Sequence, residues 1–136
     1  DTTAVTIDGW TTDADHYIRI YTTETARHNG KWDESKYRLD TGPTGSNGVI
    51  TVSENYVRLL GLQLKASGEG NCRGVVVNAN GSDSEIKVGY CLMWMQPNSG
   101  YYADGVRVSD TVYGAINVKV FNTIIWDCFS PGYPTA

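Results

Sequence analysis

Gly48-Val49-Ile50-Thr51-Val52, Gly74-Val75-Val76-Val77 and Gly105-Val106-Arg107-Val108 are three versions of one phrase, a glycine followed by β-branched residues. The glycines recur after 26 and then 31 residues. After a polar turn, each phrase leads to a second strand-like run. The runs are Val57-Arg58-Leu59-Leu60-Gly61-Leu62-Gln63-Leu64, then Ile86-Lys87-Val88-Gly89-Tyr90-Cys91-Leu92-Met93-Trp94, then Ile116-Asn117-Val118-Lys119-Val120-Phe121-Asn122-Thr123-Ile124-Ile125-Trp126. A strand–turn–strand unit repeating at that length cannot bury its own apolar face, but copies stacked on one another can. The alternation agrees, because Arg58, Lys87 and Lys119 fall in polar slots between Val, Leu and Ile.

Stacked units of this kind make a parallel β-helix, an all-β solenoid. If Gly61-Leu62, Tyr90-Cys91 and Asn122-Thr123 are equivalent corners, two inward columns follow: Leu62, Cys91, Thr123 and Leu64, Met93, Ile125. The spacers 65–73, 95–104 and 109–115 are rich in Gly, Ser, Asn and Asp, as insertions at solenoid turns should be. The antiparallel alternative, a sandwich or jelly roll, would use tight hairpins at Asn80-Gly81 or Asn47-Gly48. It leaves the repeated Gly-Val starts unexplained.

The first 45 residues differ. Val5-Thr6-Ile7 and Tyr17-Ile18-Arg19-Ile20-Tyr21 read as strands, the first followed by a turn at Asp8-Gly9. A polar insertion runs from Thr22 to Lys36, and a short strand follows at Tyr37-Arg38-Leu39. The expectation is about three coils over 48–136, preceded by a decorated coil or cap over 1–47, in one continuous domain. The chain starts at Asp1 rather than Met and reads as a segment of a longer protein.

A chain of 136 residues fits one domain, and a fold of this size buries roughly two thirds of its extended surface. Fifteen glycines against four prolines, with frequent Tyr, Trp, Val, Ile and Thr, favour strands and turns over helices. The net charge is −4 and the eleven basic residues lie singly along the chain, so neither nucleic acid nor an anionic membrane is an expected partner. No apolar run reaches membrane-spanning length. Cys72, Cys91 and Cys128 show no CxxC spacing and lie far from His16 and His28, so no metal site is expected. Cys91, in Tyr90-Cys91-Leu92-Met93, reads as a buried free thiol.

The run Tyr56 to Leu64 and the starts at Gly74 and Asp104-Gly105 resemble the pectate-lyase-like right-handed β-helix superfamily. His16 to Tyr21, Arg27-His28-Asn29-Gly30-Lys31-Trp32-Asp33 and Tyr37-Arg38-Leu39 resemble a block ahead of such coils in large bacterial and phage proteins known from environmental sequence. The resemblance implies a right-handed helix and an extracellular, cell-surface or virion location. It spans polysaccharide lyases, glycoside hydrolases, phage tail spikes and adhesins, so fold alone does not choose a function.

Two groups of residues offer chemistry. Asp104, Arg107 and Asp110, in Asp104-Gly105-Val106-Arg107-Val108-Ser109-Asp110, place two carboxylates around a guanidinium. A lyase would use such a set with Ca²⁺ and a hydrolase without it. The competing reading is that the two aspartates only shape turns. The second group is aromatic. Trp94 and Trp126 each follow an inward residue, Met93 and Ile125, and so face outward in one column, with Tyr101 and Tyr102 on the loop nearby. Exposed rings in register could stack against the sugars of a glycan, or pack beneath another part of the protein. His28 lies in a polar loop and reads as a loop brace, and Asn80-Gly81-Ser82 reads as a turn although it spells a glycosylation sequon.

The sequence therefore reads as a non-catalytic structural or adhesin-like surface segment whose partner is a polysaccharide and which needs no cofactor. The alternatives are a lyase or hydrolase fragment centred on Asp104, Arg107 and Asp110, with Ca²⁺ if a lyase, and a shaft that self-associates through open solenoid ends.

Overall fold

The computed structural model describes residues 1–79, 84–109 and 115–128. Over these residues the chain is all β, with no helix. Twelve strands form three sheets of four. Sheet A holds β1 (Val5–Ile7), β4 (Ile50–Val52), β7 (Cys72–Val77) and β10 (Ala103–Val108), in that spatial order. Sheet B holds β2 (Ile18–Tyr21), β5 (Tyr56–Leu60), β8 (Ser84–Gly89) and β11 (Ile116–Phe121). Sheet C holds β3 (Leu39–Thr41), β6 (Gln63–Gly68), β9 (Leu92–Pro97) and β12 (Ile124–Trp126). Every pairing is parallel, which rules out the antiparallel alternative. Successive strands go to A, B and C in turn, an arrangement that fits a parallel β-helix of four coils.

The coil beyond the expected three is the first, at the start of the chain. Residues 1–47 supply a strand to each sheet rather than a separate cap, since β1, β2 and β3 pair with β4, β5 and β6. These strands are only three or four residues long, too short for alternation to show in sequence, and long polar excursions separate them.

Register places the columns. Leu64 lies opposite Met93, and Met93 opposite Ile125, as the corner alignment requires. The Gly48 phrase is shifted by one residue: Ile50 faces Val75 and Val75 faces Val106, steps of 25 and 31. Val49 rather than Gly48 therefore comes level with Gly74. Gly48 is required for a different reason, because a Cβ there would lie 2.6 Å from the Ile50 carbonyl oxygen and 2.9 Å from that of Gly74.

Val52, Val57, Leu59, Leu64, Val75, Val77, Ile86, Val88, Met93 and Met95 are fully buried between the sheets. Each such side chain contributes roughly 1.5–3 kcal/mol over its exposed state. Cys91 joins this core as a free thiol, and burial pushes its pKa up. The inward positions of the fourth coil differ. Val108, Val120 and Ile125 are 44, 46 and 40 % exposed, although their partners Val77, Val88 and Met93 are fully buried.

The polar stretch between β2 and β3 folds back over the outer face of sheet C. Gln63, an outward position on β6, is fully buried beneath it. Its Oε1 accepts from Asp33 N–H at 2.8 Å, and its Nε2 donates to the carbonyls of Asp33 at 3.0 Å and Tyr37 at 3.2 Å. At the B–C corner, Thr22 Oγ1 donates to the Gly61 carbonyl at 2.7 Å. His28 Nε2 lies 2.8 Å from the Tyr90 carbonyl, so this histidine braces the loop onto the third coil.

Candidate functional site

The carboxylate group lies on the outer face of sheet A. Asp104 sits inside β10 rather than at a turn, and β7 places Arg73 directly opposite it. Arg73 Nε donates to Asp104 Oδ2 at 2.9 Å and its Nη1 to the Gly45 carbonyl at 2.6 Å. The Arg73 side chain is only 8 % exposed. Arg107 Nη1 lies 3.7 Å from the same Oδ2. Both Arg73 and Val76 face outward though three residues apart, because alternation is interrupted at Gly74 and Val75, and this brings Asp104 and Arg107 to one face. Asp110, the second proposed carboxylate, lies outside the described residues, as do Asn80, Gly81 and Ser82.

Asp104, held between two guanidiniums, is an acceptor whose charge is already met. Among the described residues the charged side chains beside Asp104 are the cations Arg73 and Arg107, and these repel a further cation such as Ca²⁺. Among the described residues, no three His, Cys, Asp or Glu side chains come together as a metal-binding group. What sheet A offers is an open polar groove of about 490 Å³ lined by Asn47, Arg73, Asn78 and Arg107.

The aromatic group lies on sheet C. The outward column reads Asp40, Lys65, Trp94, Trp126 by register. Trp94 and Trp126 are stacked, with centroids 5.8 Å apart and planes 23° from parallel. Lys65 Nζ stands 4.9 Å from the Trp94 centroid and 3.3 Å from Asp40 Oδ2. Trp94 Nε1 donates to Asp127 Oδ2 at 2.8 Å. Trp32, carried in by the excursion, meets both rings edge-on at 5.6 and 6.1 Å.

The two faces of Trp94 are thus taken by Lys65 and by Trp126. Beside it lies a mostly apolar cleft of about 270 Å³ lined by Gly30, Lys31, Trp32, Leu92, Ile124 and Trp126, room for about one sugar ring. Tyr101 and Tyr102 are exposed on the loop between β9 and β10. Tyr102 N–H donates to Asn71 Oδ1 at 3.0 Å, and among the described residues no ring contact joins either tyrosine to the tryptophans.

Trp32, Lys65 and Arg73 are members of these sites that sequence reasoning missed. Lys65 and Arg73 were findable, since each precedes Trp94 or Asp104 by one repeat. Trp32 carried no such signal, because its position depends on where an irregular loop lands.

Comparison of the chain with protein families, curated proteins and solved structures finds no match.

Proposed function

We propose that the chain is a stretch of right-handed, pectate-lyase-like β-helix that serves as a non-catalytic, adhesin-like shaft on a cell or virion surface and touches glycans at Trp126. The observation that carries this reading is the Trp32–Trp94–Trp126 cluster with its adjoining cleft. Trp94 and Trp126 are stacked on neighbouring strands with Trp32 set edge-on against them from the excursion, and a site whose base is carried by rigid strands needs little ordering when a ligand binds. Trp126 is half-buried, and Tyr102 offers an exposed ring at the neighbouring corner.

The test is retention in gels carrying neutral or acidic polysaccharides, with and without Ca²⁺, alongside mass spectrometry of the polysaccharide. Retention that Trp126→Ala weakens about tenfold, a loss typical of one stacking contact, with the polymer left intact, supports the reading. Shortened or unsaturated products that disappear in Asp104→Ala would replace it with a lyase or hydrolase.

Self-association is the second reading, favoured by the exposed apolar side chains of the fourth coil. Val108, Val120, Phe121, Ile124 and Ile125 all belong to it, and among the described residues β10, β11 and β12 each have a neighbour on one side only. An apolar patch with unpaired strand edges is a surface for protein contact.

A further inference from the structure

Four basic residues that lie far apart in sequence stand in one straight column on the outer face of sheet B. Arg19 is opposite Arg58, Arg58 opposite Lys87, and Lys87 opposite Lys119. With strands spaced by about 4.8 Å, the column is roughly 14 Å long. Like charges facing each other across a ladder are destabilising, and this stripe belongs to a chain of net charge −4. It is therefore a local feature set against the overall charge.

Neighbouring groups relieve part of the repulsion. Glu85 bridges Lys87 at 2.5 Å and Lys119 at 2.6 Å, and those two ammonium groups hold its carboxyl down to about 2. Arg58 lies 3.3 Å from the Tyr17 centroid and Arg19 lies 4.4 Å from that of Tyr21. Among the described residues neither arginine has a carboxylate partner. The column keeps a surplus of about three positive charges. It remains accessible, since Arg19 and Lys119 are exposed and Arg58 and Lys87 half-buried. Tyr21 and Phe121 stand exposed in the adjoining outward column.

We infer that this face binds a linear polyanionic glycan, a sugar chain carrying a carboxylate or sulfate on successive rings. A straight stripe one residue wide, with a cation on each rung and aromatic rings at its side, matches an extended chain that repeats one charge per ring. A nucleic acid duplex spreads its phosphates over two curved strands and would meet such a stripe only over a short arc. The inference rests on the reading of the chain as glycan-contacting, but it places the contact on sheet B rather than at Trp126.

The experiment is affinity electrophoresis of the full chain through polygalacturonate, dextran sulfate, neutral dextran and poly(dT), at rising NaCl. The comparison is between wild type, Arg58→Gln/Lys87→Gln, the charge-matched Lys36→Gln/Arg38→Gln, and Trp126→Ala. The expected result is retention by one or both anionic glycans that salt weakens. Removing Arg58 and Lys87 lowers it at least tenfold, whereas Lys36→Gln/Arg38→Gln leaves it within twofold of wild type. The two anionic gels separate carboxylate from sulfate recognition. Equal losses in both charge variants, retention unchanged in Arg58→Gln/Lys87→Gln, no retention by either anionic glycan, or tighter retention by poly(dT) would overturn the inference. Loss of neutral-glycan retention in Trp126→Ala concerns only the cleft on sheet C.

Discussion

His28 joins two coils through a ring whose nitrogens are both engaged. Nε2 lies 2.8 Å from the Tyr90 carbonyl, and Nδ1 accepts from Gly30 N–H at 3.1 Å. That pattern fits the neutral tautomer with hydrogen on Nε2. A second proton would have to sit on Nδ1 and would remove the Gly30 bond. Burial, chiefly, pushes the pKa of His28 below its usual 6.5, with the nearby Arg27 adding to the effect against the Tyr90 carbonyl. Because the unfolded chain binds the proton more readily, the stabilisation is complete above about pH 6.5 and is lost as pH falls toward the lowered folded value. We expect the thermal midpoint and the near-ultraviolet signal of Trp32 to decline with acidification through that window, and His28→Gln to flatten the decline. A pH profile identical in wild type and His28→Gln would remove this residue from the account.

At the scale of the element, the excursion between β2 and β3 depends on one outward side chain. Gln63 satisfies the amide and carbonyl of Asp33 and the carbonyl of Tyr37. Leaving such buried groups unpaired costs about 1–3 kcal/mol each. The strand itself owes nothing to these bonds, since Leu62 and Leu64 on either side are buried in the core. Gln63→Ala should therefore release the excursion while sparing the sheets: Trp32 fluorescence shifts toward that of a solvated indole, trypsin cuts faster at Lys31 and Lys36, and the far-ultraviolet spectrum stays unchanged. Loss of the strand signal together with the excursion would show that the two fold as one unit. Here lies the limit of what sequence shows. Gln63 occupies a polar slot in an alternating run, and alternation reports only that it points away from the core. Whether that outer face meets water or a returning loop is decided by residues thirty positions earlier, with no period to reveal them.

The whole molecule is a set of columns, and columns become visible only once register is fixed. The Gly-Val starts, the three long runs and the outward tryptophans could be read from the chain because each is a local pattern of period two. Arg19, Arg58, Lys87 and Lys119, separated by 39, 29 and 32 residues, look solitary until parallel pairing makes them neighbours. The two ends of the stack are not alike. At the first coil, the Asp1 carbonyl accepts from Asp40 N–H at 2.9 Å and so covers part of the β3 edge, and Ile7 is only 5 % exposed although Val5 is 39 % exposed. At the fourth coil, Val108, Val120 and Ile125 present inward-facing positions to solvent. Head-to-tail stacking would set a partly covered edge against an open one, whereas two fourth coils meeting face to face would bury the same surface on both partners. Such a contact closes as a dimer and does not propagate into a filament. We therefore expect sedimentation velocity to show a monomer passing to a dimer as concentration rises, with no larger species. Val120→Lys/Ile125→Lys should hold the chain monomeric, because pairing would bury four unpartnered ammonium groups. A double variant that dimerises as readily as wild type would remove the fourth coil from the contact, and larger species in the wild type would point to head-to-tail stacking.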